Sequence, residues 1–256
     1  MQDILHIKNH TIGQGVPLIC VPVMCAKKDA IAAEVQRLVE LSVEMIEWRV
    51  DAFEAPADMN AIRAVLAELA PLVKDTVLVY TLRSKAQGGL VQLSAEETRD
   101  VHMVAAETGV PDLIDVEYFT QKRPQREITK LQSMGARVIA SHHDFVETPK
   151  PEIMLMLLEQ MRDSGADIVK LAVMPNNSAD VLALLMETNL FHERYPNVPL
   201  ITMSMGQLGC VSRISGEAFG SCVTFGAAGC ESAPGQLPME DLKQMLALLH
   251  GSKGGA

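Results

Sequence analysis

The sequence predicts an α/β fold, a (β/α)8 TIM-type barrel, on three observations. Eight short apolar, β-branched runs alternate with longer stretches of helical period. Several runs are apolar on consecutive residues, as in Val77-Leu-Val-Tyr80 and Ile168-Val-Lys-Leu-Ala-Val-Met174, the mark of parallel strands buried on both faces. The length, 256 residues, suits a fold that typically takes about 250.

In chain order, the segment 4–16 comes first. Its alternation around Asn9-His10 and its Gly13 and Gly15 predict a β-hairpin within residues 1–17, covering the barrel bottom. Strands follow at 18–23, 45–51, 76–83, 113–118, 137–143, 167–174, 199–205 and 222–227. Helices are expected at 29–41, 58–69, 94–107, 151–162, 178–191 and 238–249. The first sets Ile31, Val35, Leu38 and Val39 on one face. Ser94-Ala-Glu-Glu97 is a capping box, and Gly135 and Gly165 suit helix C-terminal caps. Neither a repeat nor a linker interrupts this pattern, so residues 1–256 are expected to form one domain, with 251–256 a flexible tail.

Composition narrows the function classes. A net charge of −10 repels phosphate backbones and anionic lipid, so neither nucleic acid nor membrane is an expected partner. A local group of arginines can still hold a small anion. Five cysteines without a CxxC pair fit neither a disulfide framework nor a zinc site. With no secretory signal and no apolar run long enough for a membrane span, a reducing cytoplasm is the expected location.

In such a barrel, chemistry sits at the C-terminal ends of the strands. The polar residues there are Glu47, Arg49, Asp51, Thr81, Arg83, Asp115, Glu117, Ser141, His142, His143, Asp144, Lys170, Thr202 and Ser204, with Arg213, Ser232 and Gln236 in the loops beyond. Lys170 stands out, being embedded in residues that belong in a core. Burial disfavours an ammonium, and a neutral amine is a nucleophile that condenses with ketones. The alternative is a lysine reaching the barrel mouth or pairing with Asp115 or Glu117. His142 and His143 are consecutive on a strand, so at most one faces the interior as an acid/base. Glu47, Arg49 and Arg83 suit either an ion-pair network or substrate binding. Arg213 is either a carboxylate ligand or a solvated surface charge. Ser232-Ala-Pro-Gly-Gln236 is either a lid or a plain connecting loop. Met203 and Met205 read as packing.

These residues carry a family resemblance that runs over nearly the whole chain. Glu47-Trp-Arg-Val-Asp51, Thr81-Leu-Arg-Ser84 with Gly88-Gly89, Ser141-His-His-Asp-Phe145 and Gly165-Ala-Asp-Ile-Val-Lys170 follow one another in order. Ala172-Val-Met-Pro175, Ile201-Thr-Met-Ser-Met205, Ser212-Arg213, Phe219-Gly-Ser221, Thr224-Phe-Gly226 and Ser232-Ala-Pro-Gly-Gln236 complete the set. Together they resemble the type I 3-dehydroquinate dehydratases, the Schiff-base lyases of the shikimate route of aromatic amino acid biosynthesis. The resemblance implies that Lys170 forms an imine with the substrate ketone and that His143 is the general acid/base. It also implies that Glu47, Arg49, Arg83, Arg213, Ser232 and Gln236 bind the substrate's hydroxyls and carboxylate. No cofactor or metal is expected, and because relatives are often dimers, a homodimer is.

The pattern departs from the family in places. The family usually has Glu before the Gly-Gly, thought to orient and tune the histidine; here it is Gln87. Without that charge, the pKa of His143 is expected to be lower than in the family. Ala52 and His142 stand where relatives often carry His and Asn. Two other readings remain: a Schiff-base lyase or aldolase acting on another small hydroxylated keto acid, and a catalytically weakened binding homologue.

Overall fold

A computed structural model describes residues 5–229 and 232–251. A two-stranded antiparallel hairpin, β1 (Leu5–Ile7) and β2 (His10–Ile12), precedes a parallel sheet. The sheet contains β3 (Leu18–Val23), β4 (Met45–Arg49), β5 (Val77–Thr81), β6 (Leu113–Glu117), β7 (Arg137–Asp144), β8 (Ile168–Val173), β9 (Leu200–Ser204) and β10 (Val223–Ala227). A short β11 (Leu237–Pro238) adds to the outside of β10. Neighbours pair in chain order from β3 to β9, and β10 pairs with β3. The sheet curls until β9 meets β10, where Leu200 bridges Ser221 and Cys222 N donates to Leu200 O at 2.8 Å. This is the predicted barrel.

Helices pack outside it: α1 (Lys28–Glu40), α2 (Met59–Leu69), α3 (Ala95–Thr108), α4 (Pro124–Ser133), α5 (Pro151–Asp163), α6 (Ser178–Arg194), two single turns α7 (Val211–Ile214) and α8 (Gly216–Phe219), and α9 (Met239–Gly251). The capping box at Ser94 forms as expected. Four expectations shift. Asp51 leaves the strand for a 3-10 turn over Val50–Ala52. Helix α4 carries apolar residues only at Ile128 and Leu131 on its buried face, too few for the periodicity to register, although Gly135 marked its end. In α1, Val39 packs against the core but is only partly buried, and Ala32 joins Ile31, Val35 and Leu38 on the buried face. Gly251 closes α9 and is not part of a tail; residues 252–256 of the predicted tail, and 1–4 of the hairpin segment, lie outside the described residues. No helix among the described residues is long and apolar enough to cross a membrane.

Period-two alternation splits the apolar residues into two cores. Outward-facing Ile46, Trp48, Leu78, Tyr80, Val169 and Leu171 pack under the helices. Inward-facing Met45, Val77, Val79, Leu113, Ile139 and Ile168 fill the lower barrel together with Leu5, Ile7 and Ile12 of the hairpin. The hairpin thus plugs the N-terminal end. Lys8 Nζ fastens it by donating to Val73 O, Thr76 O and Asp112 Oδ2 at 2.6, 2.6 and 2.7 Å. With the floor closed by apolar side chains, the upper barrel is left to polar groups.

Candidate active site

Following the inward parity upward, the same strands change character. On β4 the inward residues run Met45, Glu47, Arg49; on β6, Leu113, Asp115, Glu117; on β7, Ile139, Ser141, His143; on β8, Ile168, Lys170, Ala172. Lys170 is 2% exposed. Its Nζ lies 3.4 Å from Asp115 Oδ2, 3.7 Å from Glu47 Oε1, and 4.3 Å over the Phe225 ring. Asp115 is thus a partner, as one reading of the sequence allowed; Glu117 instead pairs with Arg83. The amine is thus buried between two carboxylates and an aromatic face.

Arg83 organises the next layer. Its guanidinium reaches Asp115 Oδ2 at 2.9 Å, and donates to Glu117 Oε1 and Ser141 Oγ, both at 3.1 Å. Ser141 Oγ donates to Asp115 Oδ1 at 2.6 Å. Beside these cations the Asp115 carboxyl is held down at about 2, against the burial that would raise it. Thr81 Oγ1 donates to Glu47 Oε1 at 2.9 Å. Arg49 forks onto Asp51, with both bonds at 2.7 Å. The ion-pair network exists, and Glu47, Arg49 and Arg83 also line the cavity above Lys170.

Of the two consecutive histidines, His143 lines that cavity and His142 faces out against Phe119, with ring centroids 5.2 Å apart. Gln87 Oε1 accepts the backbone N–H of His143 at 2.8 Å and lies 3.3 Å from Nδ1. An amide oxygen accepts only, so Nδ1 carries the proton and Nε2 has a free lone pair. Gln87 therefore selects the tautomer of the His143 ring while carrying no charge. Burial pushes the His143 pKa well below its ordinary value, and Arg83, Lys170, Arg49 and His142 push it further. The ring is neutral at pH 7. Phe145 stacks on it at 6.5 Å.

The far wall is Met203, Met205, Phe225 and the 232–236 turn. Ser232 N donates to Gln236 Oε1 at 2.8 Å, and Gln236 Nε2 donates back to Ser232 Oγ at 3.0 Å. Gly206 N donates to Pro234 O at 3.0 Å. Gly235 has φ +75°, and a Cβ there would stand 2.2 Å from Gly206 O. Only glycine lets the turn lie this close. Arg213 is not a solvated charge: it is 1% exposed, donating to Pro234 O at 3.1 Å and Phe225 O at 3.4 Å. In this arrangement it binds the turn to the barrel.

Not every strand-end residue comes in. Thr202 turns outward to Thr188, at 2.8 Å. Ser204 sits behind the wall, its N–H held by Ser212 Oγ at 2.9 Å. Asp144 caps the turn after β7 by accepting from Val146 N and Glu147 N. The methionines set aside as packing do line the cavity, and Phe145 and Phe225 were missed. Counting alternate residues from Lys170's strand neighbours would have found Met203, Met205 and Phe225, since each has inward parity.

The profile of the family described as type I 3-dehydroquinase matches residues 19–253. A 3-dehydroquinate dehydratase from Clostridium botulinum is 41% identical over 251 residues, spanning 98% of this chain and 99% of the relative. One from Klebsiella pneumoniae is 41% identical, spanning 97% and 100%. The crystal structure of the type I enzyme from Clostridium difficile, with covalently modified comenic acid, superposes with a TM-score of 0.93 at 41% identity, covering 98% of this chain and 99% of that one. The enzyme from Geobacillus kaustophilus superposes at 0.92 with 33% identity, covering 96% of each.

Proposed function

The chain belongs to the type I 3-dehydroquinase family, a family of hydro-lyases, and on that premise we propose that it dehydrates 3-dehydroquinate to 3-dehydroshikimate through an imine on Lys170. The observation that carries this reading is the placing of a buried amine and a neutral, tautomer-selected imidazole on one cavity wall.

Lys170 Nζ adds to the ring ketone and the carbinolamine loses water to give an iminium. The iminium draws electrons from the neighbouring carbon, whose proton His143 Nε2 removes. The electron pair enters the ring as an enamine. It then expels the β-hydroxyl, which leaves as water with the proton from His143. One water hydrolyses the product imine and restores the amine, so the balance is the loss of one water. Asp115 and Glu47 receive the ammonium whenever Lys170 is protonated. Arg49 and Arg83 present guanidinium edges to the substrate hydroxyls, and Ser232 and Gln236 close over them. Arg213 binds the carboxylate by exchanging the carbonyls of Pro234 and Phe225 for it. With the turn where it stands, the cavity holds only about 30 Å³. A six-membered ring enters when residues 232–236 swing outward, which makes that turn the lid.

The reading is tested by intact mass after incubation with 3-dehydroquinate and borohydride, which reduces an imine to a stable amine. An adduct of dehydrated mass is expected for the wild type and none for Lys170→Ala. An adduct of undehydrated mass would mean that binding and imine formation survive while elimination is crippled, with Gln87 the suspect. No adduct in the wild type refutes the reading and leaves another keto acid or a binding role.

A further inference from the structure

One pocket runs against the charge of the chain. Arg99, Lys122, Arg123, Arg126 and Lys130 surround an opening of about 660 Å³ between α3 and α4, beside Met103. Five of the chain's 22 lysines and arginines stand there, on a molecule with net charge −10. Among the described residues none of the five forms an ion pair, so the positive charge gathered at the pocket is not neutralised from within the chain. The carboxylate lining the pocket, Glu127, is buried and already committed to His102 Nδ1 at 2.6 Å. Arg123 stands at the N-cap of α4, and within the helix Arg126 precedes Lys130 by four, a spacing at which like charges destabilise a helix. Such a cluster presents a local positive field to an anion.

A second observation points the same way. A cavity of about 110 Å³ lies behind the pocket and shares Ala95 and Gln121 with it. His102 lines this cavity, is 1% exposed, and has an Nε2 with no hydrogen-bond partner among the described residues. A buried ring nitrogen without a partner is rare enough to call for a ligand or an ordered water. Ser84, Arg83 and Glu117 form the inner wall, and Arg83 also lines the cavity over Lys170.

We propose that the α3/α4 pocket is a second ligand site, for a small molecule carrying two or more carboxylate or phosphate groups. The exposed guanidinium forks take the charged groups, since their geometry matches both anions. His102 Nε2 takes a hydroxyl or acid proton reaching inward. Occupancy is felt at the catalytic network through Arg83.

Calorimetric titration of the full chain with pyrophosphate and with citrate, at low ionic strength, tests this. The control is Arg123→Ala/Arg126→Ala; both residues are exposed, and the double variant's melting curve checks that it folds. Saturable binding to the wild type is expected, weakened about tenfold or more in the double variant. Tighter binding of pyrophosphate assigns the site to phosphorylated ligands and tighter binding of citrate to polycarboxylates; either supports the proposal. It is overturned if neither probe binds saturably. Binding that the double variant leaves unchanged also overturns it, because the anion then does not depend on this cluster.

Discussion

Replacing Gln87 with Glu tests how His143, the base of the proposed mechanism, is tuned. The Gln87 oxygen accepts the His143 N–H at 2.8 Å and sits 3.3 Å from Nδ1. Glutamate is nearly isosteric, so Gln87→Glu keeps the acceptor and adds a negative charge beside the ring. Two unit charges about 4 Å apart attract by roughly 4 kcal/mol at an effective dielectric of about 20. Arg83, Arg49 and Lys170, the cations that depress the His143 pKa, also hold the new carboxylate and share in that attraction. The part left to the imidazolium should be about 1.4–3 kcal/mol, or about 1–2 pH units. A base works only when unprotonated, so the acid limb of kcat/KM should move to higher pH by that amount. The profile is measured between about pH 4.5 and 9 at constant ionic strength, by the ultraviolet absorbance of the conjugated ketone. Gln87→Ala is the control: it removes the acceptor, should lower kcat, and should not raise the limb. Superimposable acid limbs for wild type and Gln87→Glu would refute the electrostatic argument, and a shift toward lower pH would reverse it.

Other perturbations follow from the same geometry. Asp115→Asn takes the counter-charge from both Arg83 and Lys170, which lie 2.9 and 3.4 Å away. Breaking so buried a network should cost about 3–5 kcal/mol in urea unfolding; a loss below about 1 kcal/mol would mean that water reaches it. Gly235→Ala forces a Cβ against Gly206 O at a φ of +75°. It should destabilise by about 1 kcal/mol or more and, if the 232–236 turn closes over substrate as proposed, raise KM more than it lowers kcat, because it displaces the turn without touching Lys170; an unchanged KM would detach the turn from substrate binding. Burial lowers the pKa of His143 and His142 below the unfolded value of about 6.5. Below that pH the unfolded chain takes protons that the folded chain refuses, so stability falls as pH drops. Thermal midpoints between pH 7 and 5 should decline, and less steeply in His143→Asn; an equal slope would place the effect elsewhere.

The barrel and most of its helices were legible in the sequence because their signals are local. Consecutive apolar residues mark a strand covered on both sides, and Ser94 with Glu97 marks a helix start, whatever the rest of the chain does. The buried amine was legible for the same reason: Lys170 interrupts a run that otherwise belongs in a core. Parity alone decided that only one of His142 and His143 could enter the cavity. Tertiary structure decided which one, and it decided every pairing. Lys170 meets Asp115 and Glu47 across separations of 55 and more than 100 residues, and Gln87 reaches His143 across 56. For Arg213 the sequence left a carboxylate ligand and a surface charge both open, and the return of β10 and the 232–236 turn buries it. The basic cluster escaped notice because Arg99 lies on α3, far along the chain from the residues Lys122 to Lys130 at the start of α4 and within it. Charges add by distance in space, and that distance is set only when the barrel closes and brings α3 beside α4.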